Sequence, residues 1–281
     1  MRDLKIQTID FKLNQQTCTK CGQCIADCPA VIITMRDDGP FIAPENESTC
    51  YRCQHCFTIC PTASISIFGL DPEKSLPMTG SLPDATQMEL LIKGRRAVRQ
   101  YKPENLEPEV LQRLLEVASY APTGRNDRQL LFTVVDDREK LAKLREEVMS
   151  GLGRIVRANA LPEGREFFID IFQAWEEHGI DILFRDAPHL LVISAPSDIA
   201  TPVQDCLIAM TTFELFAQTL GIGTVWDGLA KWAISDLMPE FCSRLGIPEN
   251  HIIGYVMAFG KPAVRYARTA QRSPAQIHRI D

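Results

Sequence analysis

Apolar positions recur along this chain with two periods, and each period predicts a different kind of element. Residues 4–13, L-K-I-Q-T-I-D-F-K-L, place Ile9, Phe11 and Leu13 in strand-like alternation. V-I-I-T-M, then R-D-D-G-P and F-I-A-P, predicts a hairpin turning at Asp38-Gly39, and A-S-I-S-I-F predicts one more short strand ending near Phe68. Beyond Pro83 the helical period takes over. Residues 86–93 predict a helix running into G-R-R-A-V-R-Q-Y. Residues 107–121 place Leu111, Leu114, Leu115 and Ala118 on one helical face, with Pro108 suited to the first turn. The loop P-T-G-R-N-D-R-Q leads into a strand at L-L-F-T-V-V and a charged helix from about Arg138. Residues 150–187 mix Phe167, Phe168, Phe172 and Trp175 with charges, which fits either a helix packed on its own domain or a lid walling a pocket. A strand at 190–195 follows. Residues 203–220 are apolar nearly all round, so this helix belongs in a large core or a dimer interface. Then come G-I-G-T-V-W-D-G-L, a short helical stretch, the strand I-I-G-Y-V-M-A-F-G and a basic tail.

Composition narrows the classes. The 281 residues are 45% hydrophobic and 23% charged with a net charge of −6, which suits soluble domains and argues against nucleic acid as a partner. Residues 69–83 are rich in Pro and Gly and read as a linker. The expected division is 1–70, a linker over 71–85, and a second domain over 86–281. The first ten residues lack an apolar signal-peptide core, and no run approaches the roughly 18 apolar residues of a membrane span. A cytoplasmic, membrane-free protein in an oxygen-poor, reducing cell is the expectation.

Cysteine usage changes the picture most. Residues 18–29 read C-T-K-C-G-Q-C-I-A-D-C-P and residues 50–61 read C-Y-R-C-Q-H-C-F-T-I-C-P. Each has the spacing C-x2-C-x2-C-x3-C-P that holds a cubane cluster in bacterial ferredoxins. Three thiolates two residues apart can wrap one cluster, while the fourth, before proline, points to the other. Cys18, Cys21, Cys24 and Cys60 are therefore assigned to one 4Fe–4S cluster, and Cys50, Cys53, Cys56 and Cys28 to the second. Zinc sites need two separated thiolate pairs, and a disulfide framework does not suit a reducing compartment. Cys206, on the apolar helix, reads as a packed thiol.

Two clusters imply a redox partner in the same chain. Arg95, Arg96 and Arg99 sit where a helix ends, and Arg265, Arg268 and Arg272 crowd the tail; arginine suits bidentate phosphate recognition, although such groups are often only solvated. No G-x-G-x-x-G or P-loop motif follows a strand.

From about residue 87 onward the chain resembles the nitroreductase family of FMN flavoproteins, and the whole chain resembles its ferredoxin-fused branch. The resemblance is carried by I-K-G-R-R-A-V-R-Q-Y (92–101), A-S-Y-A-P-T-G-R-N (118–126), R-D-A-P-H-L-L-V (185–192), Q-D-C (204–206), L-G-I-G-T-V-W-D-G (220–228) and the basic tail. It implies an α+β architecture: a small two-cluster ferredoxin-like domain, then a nitroreductase-type domain with a mixed central sheet flanked by helices. It also implies a homodimer with FMN at the subunit interface. Arg95, Arg96 and Ala97 would lie along the ribityl-phosphate and Arg99 near the pyrimidine edge. Pro122, Thr123, Gly124 and Asn126 would come from the other subunit. Trp226, Asp227 and Gly228 would lie against the flavin ring with backbone N–H groups near N5, and Arg268 and Arg272 would hold the phosphate. Where the family's loop often continues N-x-Q-P, this chain has Asn126-Asp127-Arg128-Gln129, an added positive charge that would favour an anionic substrate.

These features lead to an oxidoreductase in which the clusters feed FMN, and FMN reduces an electron-poor organic acceptor such as a nitroaromatic or quinone. No acidic or basic side chain stands out as a proton donor, which leaves solvent. The reverse current, from NAD(P)H through FMN and the clusters to a soluble ferredoxin, is the alternative. A non-catalytic redox sensor is a third reading.

Overall fold

The computed structural model describes residues 9–78 and 80–280, so residues 4–8 of the first expected strand lie outside the described residues. The chain divides into two compact units, Met1–Leu82 with Arg125–Asp127, and Pro83–Gly124 with Arg128–Asp281.

The first unit is built twice on one plan. Strand β1 (Lys12–Leu13) pairs antiparallel with β4 (Ile65–Ser66), and β2 (Ile33–Arg36) pairs with β3 (Gly39–Ile42). One-turn helices α1 (Gln23–Ala26) and α2 (His55–Thr58) carry the third cysteine of each closely spaced set, Cys24 and Cys56. Left-handed backbone recurs at matching places in the two copies: Lys20 and Arg52, Gly22 and Gln54, Val31 and Ala63. Such backbone costs about 1–2 kcal/mol at a non-glycine residue, so its repetition marks loops shaped around something. The hairpin register pairs Arg36 with Gly39, which puts the turn at Asp37-Asp38, one residue earlier than expected. Gly39 is instead required inside β3. Its φ is 129°, and a Cβ there would lie 2.4 Å from Leu13 Cδ2. Ile9, Ile32, Ile33, Ile42, Phe57, Ile65 and Ile67 form this unit's own core.

The second unit is a three-layer α+β domain. Its sheet runs β5 (Leu131–Val135), β6 (His189–Pro196), β8 (His251–Gly260), β7 (Gly223–Trp226), and every ladder is antiparallel. The resemblance implies a mixed sheet. Among the described residues the parallel contribution is a single bridge from Ala97 to Thr224. Alternation along the strands loads both faces. Leu190 and Val192 of β6 with Val256 and Ala258 of β8 face one core. Leu191, Ile193 and Ala195 with Met257 and Phe259 face the other. The first core is closed by α5 (Arg138–Arg157), α6 (Phe168–His178), α8 (Gly228–Trp232) and α9 (Glu240–Arg244), the second by α4 (Pro108–Ala118) and α7 (Pro202–Thr219).

Helix starts follow local chemistry. Asp84 accepts from Thr86 N and Gln87 N to cap α3 (Ala85–Gly94), and Asp137 caps α5 through Glu139 N and Lys140 N. Proline stands at the first position of α4 and α7, where no N–H is needed. Helix α7 buries Cys206, Ala209, Met210, Phe213 and Ala217 while Val203 and Ile208 stay exposed, so it is apolar on two faces but buried by one. Phe168 and Phe172 of α6 belong to the core, as expected for a helix packed on its own domain. No helix among the described residues is long and apolar enough to cross a membrane.

Candidate functional site

In the first unit the cysteines fall into two groups around two separate hollows. One is lined by Cys18, Cys21, Cys24 and Cys60, the other by Cys28, Cys50, Cys53 and Cys56. The crossed membership is the one the C-P cysteines predict: Cys60 sits with the first run and Cys28 with the second. The empty volumes are similar, about 320 and 340 Å³, as two copies of one group require. All the cysteines are free thiols. Among the described residues no three His, Cys, Asp or Glu side chains converge on one point as they would around a single ion. Thiols that ring a hollow suit a cluster, whose iron corners lie apart, better than one zinc.

Electrostatics point the same way. Burial, then the neighbouring Cys50, Cys53 and Cys28, pushes the Cys56 thiol up to about 12. Cys24 is raised by burial and by Cys60, Cys21 and Cys18. Ionisation is thus opposed at Cys24 and Cys56, whereas at Cys60 burial is outweighed by hydrogen bonds from Ser64 and Thr62, which lower the pKa; bound iron would offset the penalty by coordinating thiolate directly. Backbone N–H groups already aim at the sulfurs: Lys20 N donates to Cys18 Sγ and Arg52 N to Cys50 Sγ, both at 3.4 Å, and Ser64 N to Cys60 Sγ at 3.2 Å. The donor set fits two iron–sulfur clusters.

In the second unit the segment carrying the first arginines lies beside β7. Val98 N donates to Thr224 O at 2.8 Å, and Ala97 forms the parallel bridge. The basic tail reaches the same place, because Tyr266 Oη donates to Ala97 O at 3.0 Å. Arg96, Arg268 and Arg272 are exposed and have no ion-pair or hydrogen-bond partner among the described residues. Arg99 is exposed as well, with its charge acting on the Tyr101 phenol. Arg95 is different. It donates at 3.1 Å to Glu214 Oε1, a buried carboxylate of α7 that also accepts from Thr224 Oγ1 at 3.3 Å. Arg96 thus directly precedes a segment bridged to β7, and the tail that carries Arg268 and Arg272 is anchored to that segment at Tyr266; uncommitted arginines are a donor set that fits a phosphate.

The loop after α4 is anchored from beneath. Gly124 N donates to Asp205 Oδ1 at 3.0 Å, and Thr201 Oγ1 donates to the same oxygen at 2.8 Å. A Cβ at residue 124 would lie 2.1 Å from Thr201 Oγ1, so only glycine lets the loop sit this low. Arg128 N donates to Thr123 Oγ1, and Pro122 stays exposed. Asn126 falls in the first unit. Asp205 pairs locally with Thr201, and it also reaches 81 residues away to Gly124. Arg128, expected as an added free charge, points its guanidinium at Ser119 O, 3.4 Å away.

Trp226, Asp227 and Gly228 end β7. Trp226 packs edge-on against Tyr255 at 5.1 Å. Of the backbone N–H groups expected near N5, that of Asp227 is engaged within the fold: Asp227 N donates to Val256 O at 2.8 Å, continuing the ladder. The Asp227 carboxyl caps α8 by accepting from Ala230 N at 2.9 Å, while its Oδ2 is buried without a partner. Burial pushes this carboxyl up to about 7, with Asp181 raising it further and Arg185 opposing. The structure thereby supplies a buried acid poised near neutrality that sequence reasoning missed. His189 is structural. Its Nε2 accepts from Leu106 N at 2.9 Å, and burial lowers its pKa. Cys206 is fully buried with its thiol pushed up to about 12 by burial, a packed thiol rather than a nucleophile.

Comparisons with known proteins separate along the same lines. Residues 92–261 match the nitroreductase family, and residues 17–65 match the 4Fe-4S dicluster domain. A protein of Archaeoglobus fulgidus named as an NADH dehydrogenase/NAD(P)H nitroreductase is 28% identical over 196 residues, covering 67% of this chain and 95% of the relative. One of Methanothermobacter thermautotrophicus with the same name is 26% identical over 191 residues, covering 66% and 83%. The crystal structure of a nitroreductase with bound FMN from Bacteroides fragilis is 25% identical, with a TM-score of 0.56 over 69% of this chain and 99% of that one.

Proposed function

The chain belongs to the nitroreductase family, and from that premise we propose that it is an FMN-dependent oxidoreductase supplied with electrons by its own two-cluster ferredoxin module. The carrying observation is the pair of thiol quartets, each around its own hollow, in the same chain as a nitroreductase domain. When bound, FMN supplies hydride or two-electron chemistry to an electron-poor organic acceptor, and the clusters supply single electrons.

The chain's own residues do the rest. Cys18, Cys21, Cys24 and Cys60 hold one cluster, and Cys28, Cys50, Cys53 and Cys56 hold the other. Arg96, Arg268 and Arg272 hold the phosphate, Arg95 contributing its remaining donors, and Arg99 faces the pyrimidine edge. Asp205 fixes the height of the loop with Pro122, Thr123 and Gly124, which with Asn126 serves the partner subunit's flavin. Trp226 and the Gly228 N–H would lie against the ring, and the neutral form of Asp227 would hold a proton at its buried Oδ2. A homodimer is supported by apolar surface that the single chain leaves open: Leu90 and Ile92 of α3 are 62% and 52% exposed, and Val203 and Ile208 lie on the outer face of α7.

The phosphate assignment is testable. A charge-assisted hydrogen bond contributes about 1.5–3 kcal/mol, so R268A/R272A should weaken FMN binding to the flavin-free protein at least about tenfold. Riboflavin, which lacks the phosphate, should bind both forms alike. Unchanged FMN affinity would remove these residues from the site.

The names of the two archaeal relatives favour a second reading, in which NAD(P)H reduces FMN and the clusters carry electrons out to a ferredoxin. An anaerobic titration that follows flavin and cluster absorbance separately decides between them. If reduced ferredoxin bleaches the clusters before the flavin while NADH and NADPH leave both oxidised, the inward current stands. Rapid flavin reduction by NAD(P)H followed by the clusters reverses it.

A further inference from the structure

We propose that the two clusters have unequal reduction potentials, the one at Cys18, Cys21, Cys24 and Cys60 being the higher, and that the hydroxyls of Thr17, Ser64 and Thr62 set the difference. The inference rests on reading both quartets as cluster ligands.

The internal repeat provides the comparison. Lys20 N to Cys18 and Arg52 N to Cys50 are equal in length, and the same left-handed residues shape both loops, so these features cancel. The copies part company after the C-P cysteines. Cys60 is followed by Pro61-Thr62-Ala63-Ser64, whereas Cys28 is followed by Pro29-Ala30-Val31-Ile32. Ser64 N donates to Cys60 Sγ, and Thr62 Oγ1 lies 3.8 Å from the same sulfur. Behind it, the buried Ser64 Oγ is 2.7 Å from Thr62 Oγ1 and 2.8 Å from Thr17 Oγ1. Three hydroxyls can thus turn their protons in one direction, Thr17 to Ser64 to Thr62 to the sulfur. At the other site Ala30 and Ile32 have no side-chain donor to offer. The hollow there is walled by Ile32, Ile33, Ile42 and Ile67 beside Tyr51, Gln54 and His55, and the His55 ring is paired with the Asp27 carboxylate at 2.9 Å. Exposure adds in the same sense, since Cys21 is exposed and its counterpart Cys53 is half-buried.

Reduction places one more negative charge on a cluster and its sulfurs. Hydrogen bonds to sulfur and access to water stabilise that charge, while apolar walls do not. Aligned hydroxyls polarise one another and strengthen the last bond of the chain. In a half-reduced module the electron therefore rests on the Cys18/Cys21/Cys24/Cys60 cluster, and the Cys28/Cys50/Cys53/Cys56 cluster is the stronger reductant.

The test is an anaerobic redox titration of the full iron-loaded protein, followed by electron paramagnetic resonance. Two one-electron steps are expected, separated by at least a tenfold ratio in reduction constant, about 59 mV. T62A, at an exposed position, should shift the upper step to lower potential and leave the lower step in place. S64A, which keeps the N–H and cuts the hydroxyl chain, should shift the upper step in the same direction. Full iron content with coincident steps overturns the inference alone, as does an upper step that neither variant moves. Fewer than about eight irons per chain overturns the ligand reading, and this inference with it.

Discussion

Replacing Cys56 with serine should remove one cluster, about four irons per chain, and leave FMN bound in full. Cys56 is the most demanding of the eight positions. It is buried, and its own burial and three neighbouring thiols hold its proton with a pKa of about 12. A side chain that resists ionising so strongly is kept there because iron replaces the proton, and serine is a poor ligand for that exchange. The loss should be selective because the second unit has two cores of its own, neither of which draws on the first sixty residues. The readouts are iron and sulfide analysis beside flavin content. A variant that keeps all its iron would refute the quartet of Cys28, Cys50, Cys53 and Cys56. Parallel loss of FMN would refute the independence of the modules.

How much of this was legible in the sequence depends on the range of the interaction. The cysteine quartets were readable, crossed membership included, because the ligands repeat at short fixed spacing and a proline marks the one that leaves the loop. The helices and strands of the second unit were readable to within a residue or two where a local signal existed, as at Asp84, Pro108 and Asp137. The hairpin turn was misplaced because Gly39 looks like a turn residue, yet its reason for being glycine is Leu13, far off in sequence. Buried carboxylates were the common blind spot. Glu214 is one acid in an apolar helix, and nothing near it in the chain announces Arg95, 119 residues away, as its partner. Asp205 likewise shows only its local bond to Thr201 until the fold brings Gly124 above it. Asp227 stood in a recognisable motif, but its burial and its orphaned oxygen exist only in the folded chain.

That oxygen has a measurable consequence. Asp227 is 5% exposed, and its carboxyl is held at about 7 in the folded protein against roughly 3.9 in an unfolded chain. A raised carboxyl opposes folding once the unfolded chain can ionise it and the folded chain cannot. Stability from this group should therefore be greatest below about pH 4, fall as pH rises towards 7, and level off above that. The shift corresponds to a penalty on the order of 4 kcal/mol at pH 8, large beside the 5–15 kcal/mol that holds a typical domain. Asparagine preserves the shape and the bond accepted from Ala230 N while removing the charge. D227N should thus be more stable than the parent at pH 8 and equal to it near pH 4, with the difference growing in between, as read by urea unfolding of the second unit's signal. The other groups that act on Asp227 electrostatically, Asp181, Arg185 and Tyr101, remain in both proteins, so their titrations cancel in the difference. A D227N variant no more stable than the parent at pH 8 would mean that Oδ2 finds a donor in solution and that no proton is held there.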